Sequence, residues 1–370
     1  MKTLNADQLE FLNRYGFDST LFETWQAGVR DGTLCPKNNL LDGEILAPEA
    51  GSIHDLPKAN SDDGRSTIEA GQQAIRDGQF GAIILNGGMA TRFGGVVKGV
   101  VEVLSGRSFL GLKLEDVRKT QDALGVRIPV YLMNSFATDE ATRAHLEEHS
   151  YFGLEADQVE CFTQFISVRM TPKGEVFLTE SGDISPYGPG HGDCTPAFRH
   201  HGCLKRFQGG GGKHLFVANV DNLGARISPL ILGHHIQSGA HATVECAPKW
   251  PGDVGGAPYI VDGRLQLVEQ LRFPEGFDPD IVDVFNTNTF HFAAEALDQE
   301  FDLGRYFVQK KVNDAPAIQI ERLIGELTRF MPSNFVRVKR TGPNSRVFPV
   351  KTPDDLEAGR DEIAAMYDGA

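Results

Sequence analysis

The sequence predicts an α/β protein, a mixed and mostly parallel sheet with helices on both faces. Three observations carry this. From residue 82 onward, apolar runs of strand length alternate with stretches of helical length. Those runs are continuous enough for strands covered on both sides. A glycine-rich loop directly follows the first of them, beyond a strand's carboxyl end, where open α/β sheets bind ligands.

The elements follow in chain order. Asn5 and Gln8 form a reciprocal cap for a first helix, with Leu9 and Leu12 on one face and Gly16 as its stop. Thr20 and Glu23 start a second helix, with Leu21, Trp25 and Val29 spaced by four. Residues 43–64, rich in Pro, Gly, Ser, Asp and Asn, read as loop or linker. Ser66 and Glu69 open another helix that ends near Gly78. Strands are expected at 82–85, 129–133, 214–220 and 242–246, and helices near 108–124, 137–149, 194–207 and 228–238. An Asp262-Gly263 turn predicts a hairpin around 259–267. A strand over 284–292, a helix near 293–299, a longer helix over 315–330 and a strand over 335–340 follow. An amphipathic helix begins at Pro353.

Composition excludes several classes. With 36 Lys+Arg against 50 Asp+Glu, the net charge is −14, whereas a dedicated nucleic-acid binder needs a basic face. No run approaches the ~20 apolar residues of a membrane span. The start, MKTLNADQLEFLNRYGFD, has no apolar core of a signal peptide. Five cysteines, an odd number without C-x-x-C, argue against a disulfide framework and for a reducing, cytoplasmic setting.

The most informative stretch is AIILNGGMATRFGGVVKG, residues 82–99. Gly87, Gly88, Gly94 and Gly95 let backbone N–H groups approach oxygens, while Arg92 and Lys98 add charge, so the loop reads as a phosphate site. It is neither a P-loop nor a dinucleotide fingerprint. Asp221 ends the apolar run HLFVANVD, and a carboxylate there suits a hard cation or caps a turn. His191 lies between glycines in a Pro/Gly-flanked loop, where backbone can approach a ligand. Gln164 has the donor and acceptor of a base reader, although a strand Gln more commonly faces solvent. Asn286 and Asn288, two apart in a strand, are expected on one face, where two amides could bind sugar hydroxyls. Lys351 is a second candidate cation. His145-Leu-Glu-Glu-His149 fits the H-x-x-E-H pattern of some zinc peptidases, with both histidines on one helix face, but no third-ligand motif follows.

Together these motifs resemble a known family. LNGG with Thr91-Arg92 and the downstream Lys98 is similar to the loop of sugar-1-phosphate nucleotidyltransferases. Leu132-Met-Asn-Ser-Phe-Ala-Thr-Asp139, Phe162-Thr-Gln164, Pro189-Gly-His-Gly-Asp193, Asn219-Val-Asp-Asn-Leu-Gly224, Phe285-Asn-Thr-Asn288 and Ser345-Arg-Val-Phe-Pro-Val-Lys351 resemble, in order, those of UTP–glucose-1-phosphate uridylyltransferases. The loop departs from the pattern at Ala90 and Val97 and is about one residue shorter. Residues 1–65 lie outside the resemblance.

The resemblance implies a Rossmann-like nucleotidyltransferase. Residues 1–65 would be a helical N-terminal extension, 66–335 the catalytic domain, and 336–370 a C-terminal segment carrying Lys351, without the C-terminal β-helix domain of eukaryotic-type relatives. It implies a Mg²⁺-dependent enzyme making a UDP-sugar, with glucose favoured, and pyrophosphate from UTP and a hexose 1-phosphate. Lys98, Arg92, Asp221 and Lys351 would be catalytic, and Asp221 would hold the metal. Leu85, Asn86, Gly87, Gly88, Gln164 and Gly190 would bind the nucleotide. His191, Asn219, Asn222, Asn286 and Asn288 would bind the sugar phosphate. A nucleotide-sugar-binding protein without catalysis and an N-acetylhexosamine enzyme are the alternatives. Neither nucleic acid nor membrane is an expected partner, and the sequence assigns no oligomeric state.

Overall fold

The computed structural model describes residues 4–369. Its centre is an eight-stranded sheet of β1 (Ile53–Asp55), β2 (Phe80–Leu85), β3 (Val130–Asn134), β4 (Val159–Thr163), β5 (His214–Asn219), β6 (Ala242–Pro248), β7 (Val284–Ala293) and β8 (Ser333–Arg337). The order across the sheet is β1-β8-β6-β7-β5-β2-β3-β4. Every neighbouring pair is parallel except the two that β7 makes. The helices are α1 (Ala6–Arg14), α2 (Ser19–Asp31), α3 (Asp62–Arg76), α4 (Phe109–Leu124), α5 (Asp139–Glu148), α6 (Cys194–His200), α7 (Cys203–Gly209), α8 (Pro229–Ser238) and α9 (Pro353–Tyr367).

The sheet separates two apolar layers because successive strand residues point to opposite faces. Ala82, Ile84, Val130, Leu132, Phe216 and Ala218 belong to one core, with residues of α3, α4, α8 and α9. Ile83, Leu85, Tyr131, Met133, Leu215 and Val217 belong to the other, with Phe198 of α6 and Phe207 of α7. The register Leu85↔Asn219, Leu85↔Met133 and Asn134↔Thr163 brings the carboxyl ends of four strands to one edge. The site forms on that edge.

Several elements differ from the sequence expectation. The reciprocal cap of Asn5 and Gln8 is present, but α2 is capped by Asp18, and α3 begins at Asp62 behind Ser61. Within 43–64, residues 45–46 and 53–55 are strands, and the second of these is the sheet's edge strand β1. The stretch 194–207 holds two helices, separated at Gly202, which has φ +72°. Residues 294–297 form only a 3-10 turn. The expected helix over 315–330 is instead strand Ala315–Glu321, antiparallel to Tyr306–Val312, followed by a 3-10 turn. Asn313 and Asp314, both at positive φ, make the hairpin turn, and residues 317–320 are buried on both faces, which suits a strand rich in Ile. The Asp262-Gly263 hairpin is present, joining Ala257–Val261 to Arg264–Val268.

Helices α1 and α2 and the turn between them pack Leu12, Phe17, Phe22 and Trp25 against Ile166, Val168, Met170, Ile318 and Ile320. The five cysteines are all unpaired. No helix among the described residues is long and apolar enough to cross a membrane.

Candidate active site at the carboxyl edge of the sheet

The glycine loop leaves β2 at Leu85, which is buried and gives its carbonyl to the Val220 N–H at 3.1 Å. Asn86 is fully buried and bonds Asn134 Oδ1 and Thr142 Oγ1, both at 2.9 Å. Its side chain therefore anchors the loop's root to β3 and α5. Gly87 is half-buried, while Gly88 is exposed, with nothing within 4 Å of where a Cβ would stand. Met89–Ala90 then pairs with Val96–Val97. Ala90 and Val97, the departures from the family pattern, are both buried in this small hairpin. The hairpin delivers Lys98 to an ion pair with Asp221. Arg92 stands exposed on the turn between its strands, without an ion-pair partner among the described residues.

Asp221 lies two residues beyond the end of β5. The next residue, Asn222, is buried, accepts from the Phe348 N–H at 2.7 Å and donates to Arg346 O at 3.3 Å. Leu223 N–H bonds Phe348 O, and Val350 N–H bonds Asp221 O. The side chain of Asn222, expected among the sugar-phosphate ligands, is thus committed to stitching 221–223 against 346–350. That stitching brings Lys351, which is exposed, to the same edge as Lys98 and Asp221. Arg346 anchors the segment by a two-pronged pair with the buried Glu245 at 2.7 and 2.6 Å. Burial pushes the Glu245 carboxyl up, but the charge and hydrogen bonds of Arg346 outweigh it and hold the group at about 2.

Gln164 is buried, not solvent-facing as a strand Gln was expected to be. A Cβ on Gly87 would stand 2.7 Å from its Nε2, and one on Gly188 would stand 2.3 Å away. Only glycines admit the amide between these two backbones.

His191 is half-buried, and its Nδ1 accepts from the Ile324 N–H at 3.0 Å, which leaves the ring hydrogen on Nε2. Burial lowers its pKa to about 4, so the ring is neutral. The glycines beside it do not open the loop to a ligand as expected. A Cβ on Gly190 would stand 2.6 Å from Arg322 O, and one on Gly192 would stand 2.5 Å from Arg322 C. They admit the Arg322 backbone, which bonds Pro189 O and the Gly192 N–H. Arg322 also pairs with Asp193 at 2.5 Å. Asp193 is fully buried, and burial raises it to about 6 against the pull of Arg322.

Asn286 and Asn288 do not share a face through regular pleating. A bulge interrupts β7 between the partners of Val244 and Cys246, and Asn288 lies at φ +55°. The two are nonetheless brought together, because Asn286 Oδ1 accepts the Asn288 N–H at 2.9 Å and Asn288 Nδ2 donates to Asn219 Oδ1 at 3.0 Å.

Glu269 carried no sequence signal. Its carboxylate oxygens lie 2.8 and 2.9 Å from where Cβ atoms on Gly256 and Gly325 would stand. Gly256 O accepts the Asn286 N–H, and Gly325 follows Ile324, the residue that bonds His191. Glu269 therefore lies between the asparagine bulge and the segment that bonds His191. Burial, with the nearby Glu326 charge, raises it to about 7. Only the tertiary fold assembles its surroundings, as it does for Arg322 and Arg346.

This arrangement gives a glycine loop with an open backbone, two lysines and a carboxylate on one strand edge, a buried amide, and neutral hydrogen-bonding groups around a bulge. A model of the family described as UTP–glucose-1-phosphate uridylyltransferase matches residues 50–368. The UTP–glucose-1-phosphate uridylyltransferase of Hordeum vulgare is 30% identical over 300 residues, covering 77% of this chain and 62% of the plant protein. That of Saccharomyces cerevisiae is 29% identical over 307 residues, covering 77% of this chain and 60% of its own. The chain thus spans about three fifths of the length of these relatives. Among solved structures, a UDP-glucose phosphorylase of Trypanosoma brucei superposes with a TM-score of 0.75 at 24% identity, covering 95% of this chain and 77% of its own. The uridine diphosphate N-acetylglucosamine pyrophosphorylase of the same organism gives 0.73 at 21%, covering 96% and 81%. The fold is shared with both, and by its family match the chain belongs to the UTP–glucose-1-phosphate uridylyltransferase family.

Proposed function

We propose that the chain is a uridylyltransferase that makes UDP-glucose and pyrophosphate from UTP and glucose 1-phosphate. The observation that carries the reading is the ion pair of Lys98 with Asp221, which joins the glycine loop to a strand-end carboxylate. A phosphate oxygen of the sugar phosphate attacks the α-phosphorus of UTP in line. The bond from the α-phosphorus to the bridging oxygen breaks, and pyrophosphate leaves with that electron pair. No side chain needs to act as nucleophile, so the protein's task is to position the reactants and neutralise charge.

The chain's residues divide that task. The open backbone at Gly88, with Lys98 and Arg92, takes the triphosphate. Gln164 reads the uracil edge. Lys351 balances charge on the sugar phosphate side. Asn219, Asn286, Asn288, Glu269 and the His191 Nε2–H offer donors and acceptors for sugar hydroxyls. Asp221 fits a Mg²⁺ ion, because it is a partly exposed hard oxygen donor whose present partner is already a cation, and Mg²⁺ commonly takes one or two carboxylates plus phosphate oxygens. When bound, the ion would supply charge neutralisation on the phosphates. The unpaired cysteines support a cytoplasmic setting.

The test is pyrophosphate release from UTP, Mg²⁺ and a panel of sugar 1-phosphates that includes glucose and N-acetylglucosamine. Glucose 1-phosphate is expected to give the largest signal. Asp221→Ala and Lys98→Ala are each expected to lower turnover by roughly 10²-fold or more with the melting transition intact. Tight UTP binding with no release for any sugar would instead favour the non-catalytic reading. Wild-type rates in both variants would overturn the residue roles.

A further inference from the structure

A second cluster of metal-ligating side chains stands apart from this site, at the carboxyl end of α5. His145, Glu148 and His149 lie at i, i+3 and i+4, and one ligating atom from each lies within 4.8 Å of the others. Among the described residues this is the one group of three or more His, Cys, Asp or Glu side chains whose donor atoms converge in this way. We propose that it is a binding site for one divalent transition-metal ion of the zinc class, separate from the Mg²⁺ position at Asp221.

Three features argue that the cluster is built. The first is the hold on His145. Its Nε2 lies 2.8 Å from Ser108 Oγ, which also caps α4 by accepting the Gly111 N–H at 3.0 Å. A hydrogen bond of this kind from a neighbouring side chain fixes the orientation of a metal-binding histidine ring. The second is an aromatic plate. Phe152 stacks on His149 at 5.1 Å with 13° between the rings, and lies 5.4 Å from His145. It is placed there by Ser150, Tyr151 and Phe152, three successive non-glycine residues at φ +47°, +53° and +55°. Such backbone persists only where the surroundings over-determine it. Here Phe152 is wedged so closely against Gly111 that a Cβ there would stand 2.7 Å from the ring. The third is electrostatic. The end of α5 presents the negative pole of the helix, which favours a cation.

The donor set names the ion's class. Two imidazoles and one carboxylate suit Zn²⁺, Co²⁺ or Ni²⁺, with water completing the shell, whereas Mg²⁺ selects oxygen donors. The proposal does not depend on the uridylyltransferase reading, and binding alone tests it. The full chain, stripped with chelator and returned to buffer with excess Mg²⁺, is titrated with Zn²⁺ in a calorimeter and with Co²⁺ in a visible spectrometer. One equivalent is expected to bind despite the Mg²⁺. His149→Ala and Glu148→Gln, both exposed and so compatible with folding, are expected to weaken it by roughly tenfold or more. No saturable Zn²⁺ binding in the wild type would overturn the site, as would equal affinity in both variants or full displacement by Mg²⁺.

Discussion

At the residue scale, the site is made by small residues admitting larger ones. Gly188 has ordinary backbone, so alanine there would strain nothing in the main chain. Its Cβ would nevertheless fall 2.6 Å from Gln164 Cδ, and the amide would have to leave its slot. Gly188→Ala is therefore expected to raise the KM for UTP by roughly tenfold, about 1.4 kcal/mol of binding, with little change in kcat. Steady-state kinetics with UTP as the varied substrate would check this, and an unchanged KM would remove Gln164 as the base reader. The glycines beside His191 follow the same logic with a different visitor, because the Arg322 backbone occupies the space they leave. A glycine in a sequence announces a close approach but not what approaches. Asn86 and Asn222 extend the point, since their amides hold the walls of the site in place.

At the scale of elements, the N-terminal helices act as a brace behind Gln164, the proposed base reader. Phe11 and Tyr15 of the α1 region pack edge-on against Phe136, two residues from Asn134. Tyr15 O accepts the Ile166 N–H at 3.2 Å, and a Cβ on Gly16 would stand 2.7 Å from Phe165, the neighbour of Gln164. Trp25 of α2 is 3% exposed in the core that these helices form with Val168 and Ile318. Trp25→Ala is expected to cost about 3–5 kcal/mol in denaturant unfolding. Through the displaced 164–166 segment it should also raise the KM for UTP more than that for the sugar phosphate. Equal changes in both constants would reduce the brace to a contribution to general stability. The hairpin of Tyr306–Val312 and Ala315–Glu321 belongs to the same structure, because Ile318 and Ile320 complete that core and Arg322 follows it directly.

For the whole molecule, burial of neutral histidines sets the response to acid. Burial lowers His191 and His214 to about 4 and His235 to about 2, from an ordinary value near 6.5. The unfolded chain takes up these protons first as pH falls. Their contribution to stability is therefore complete above about pH 6.5 and is lost as pH falls through about 4. Asp193 and Glu269, raised to about 6 and about 7, run the other way, since protonation relieves their burial. Burial also lowers His145, His201, His234 and His291 and raises Asp116, so seven histidines outnumber three acids and the melting temperature is expected to fall between pH 6.5 and 4. Calorimetry across that range would check this, and a flat or rising profile would show that the buried acids dominate.

What the sequence determined by itself is set by local pattern. The alternation of strand and helix gave the parallel sheet, because a strand buried on both faces has to be apolar at nearly every position. The LNGG loop, Lys98 and Asp221 were legible because strand-end glycines and charges sit next to the run that positions them. The sequence could not convey the strand at 315–321, whose length and composition also suit a helix until the Asn313-Asp314 turn and two-sided burial decide for the sheet. Nor could it convey Glu269, the Arg346–Glu245 anchor or the Arg322 backbone behind Gly190 and Gly192. Each depends on contacts between residues far apart in the chain. Only folding brings those groups within hydrogen-bonding distance, and no periodicity along the sequence records them.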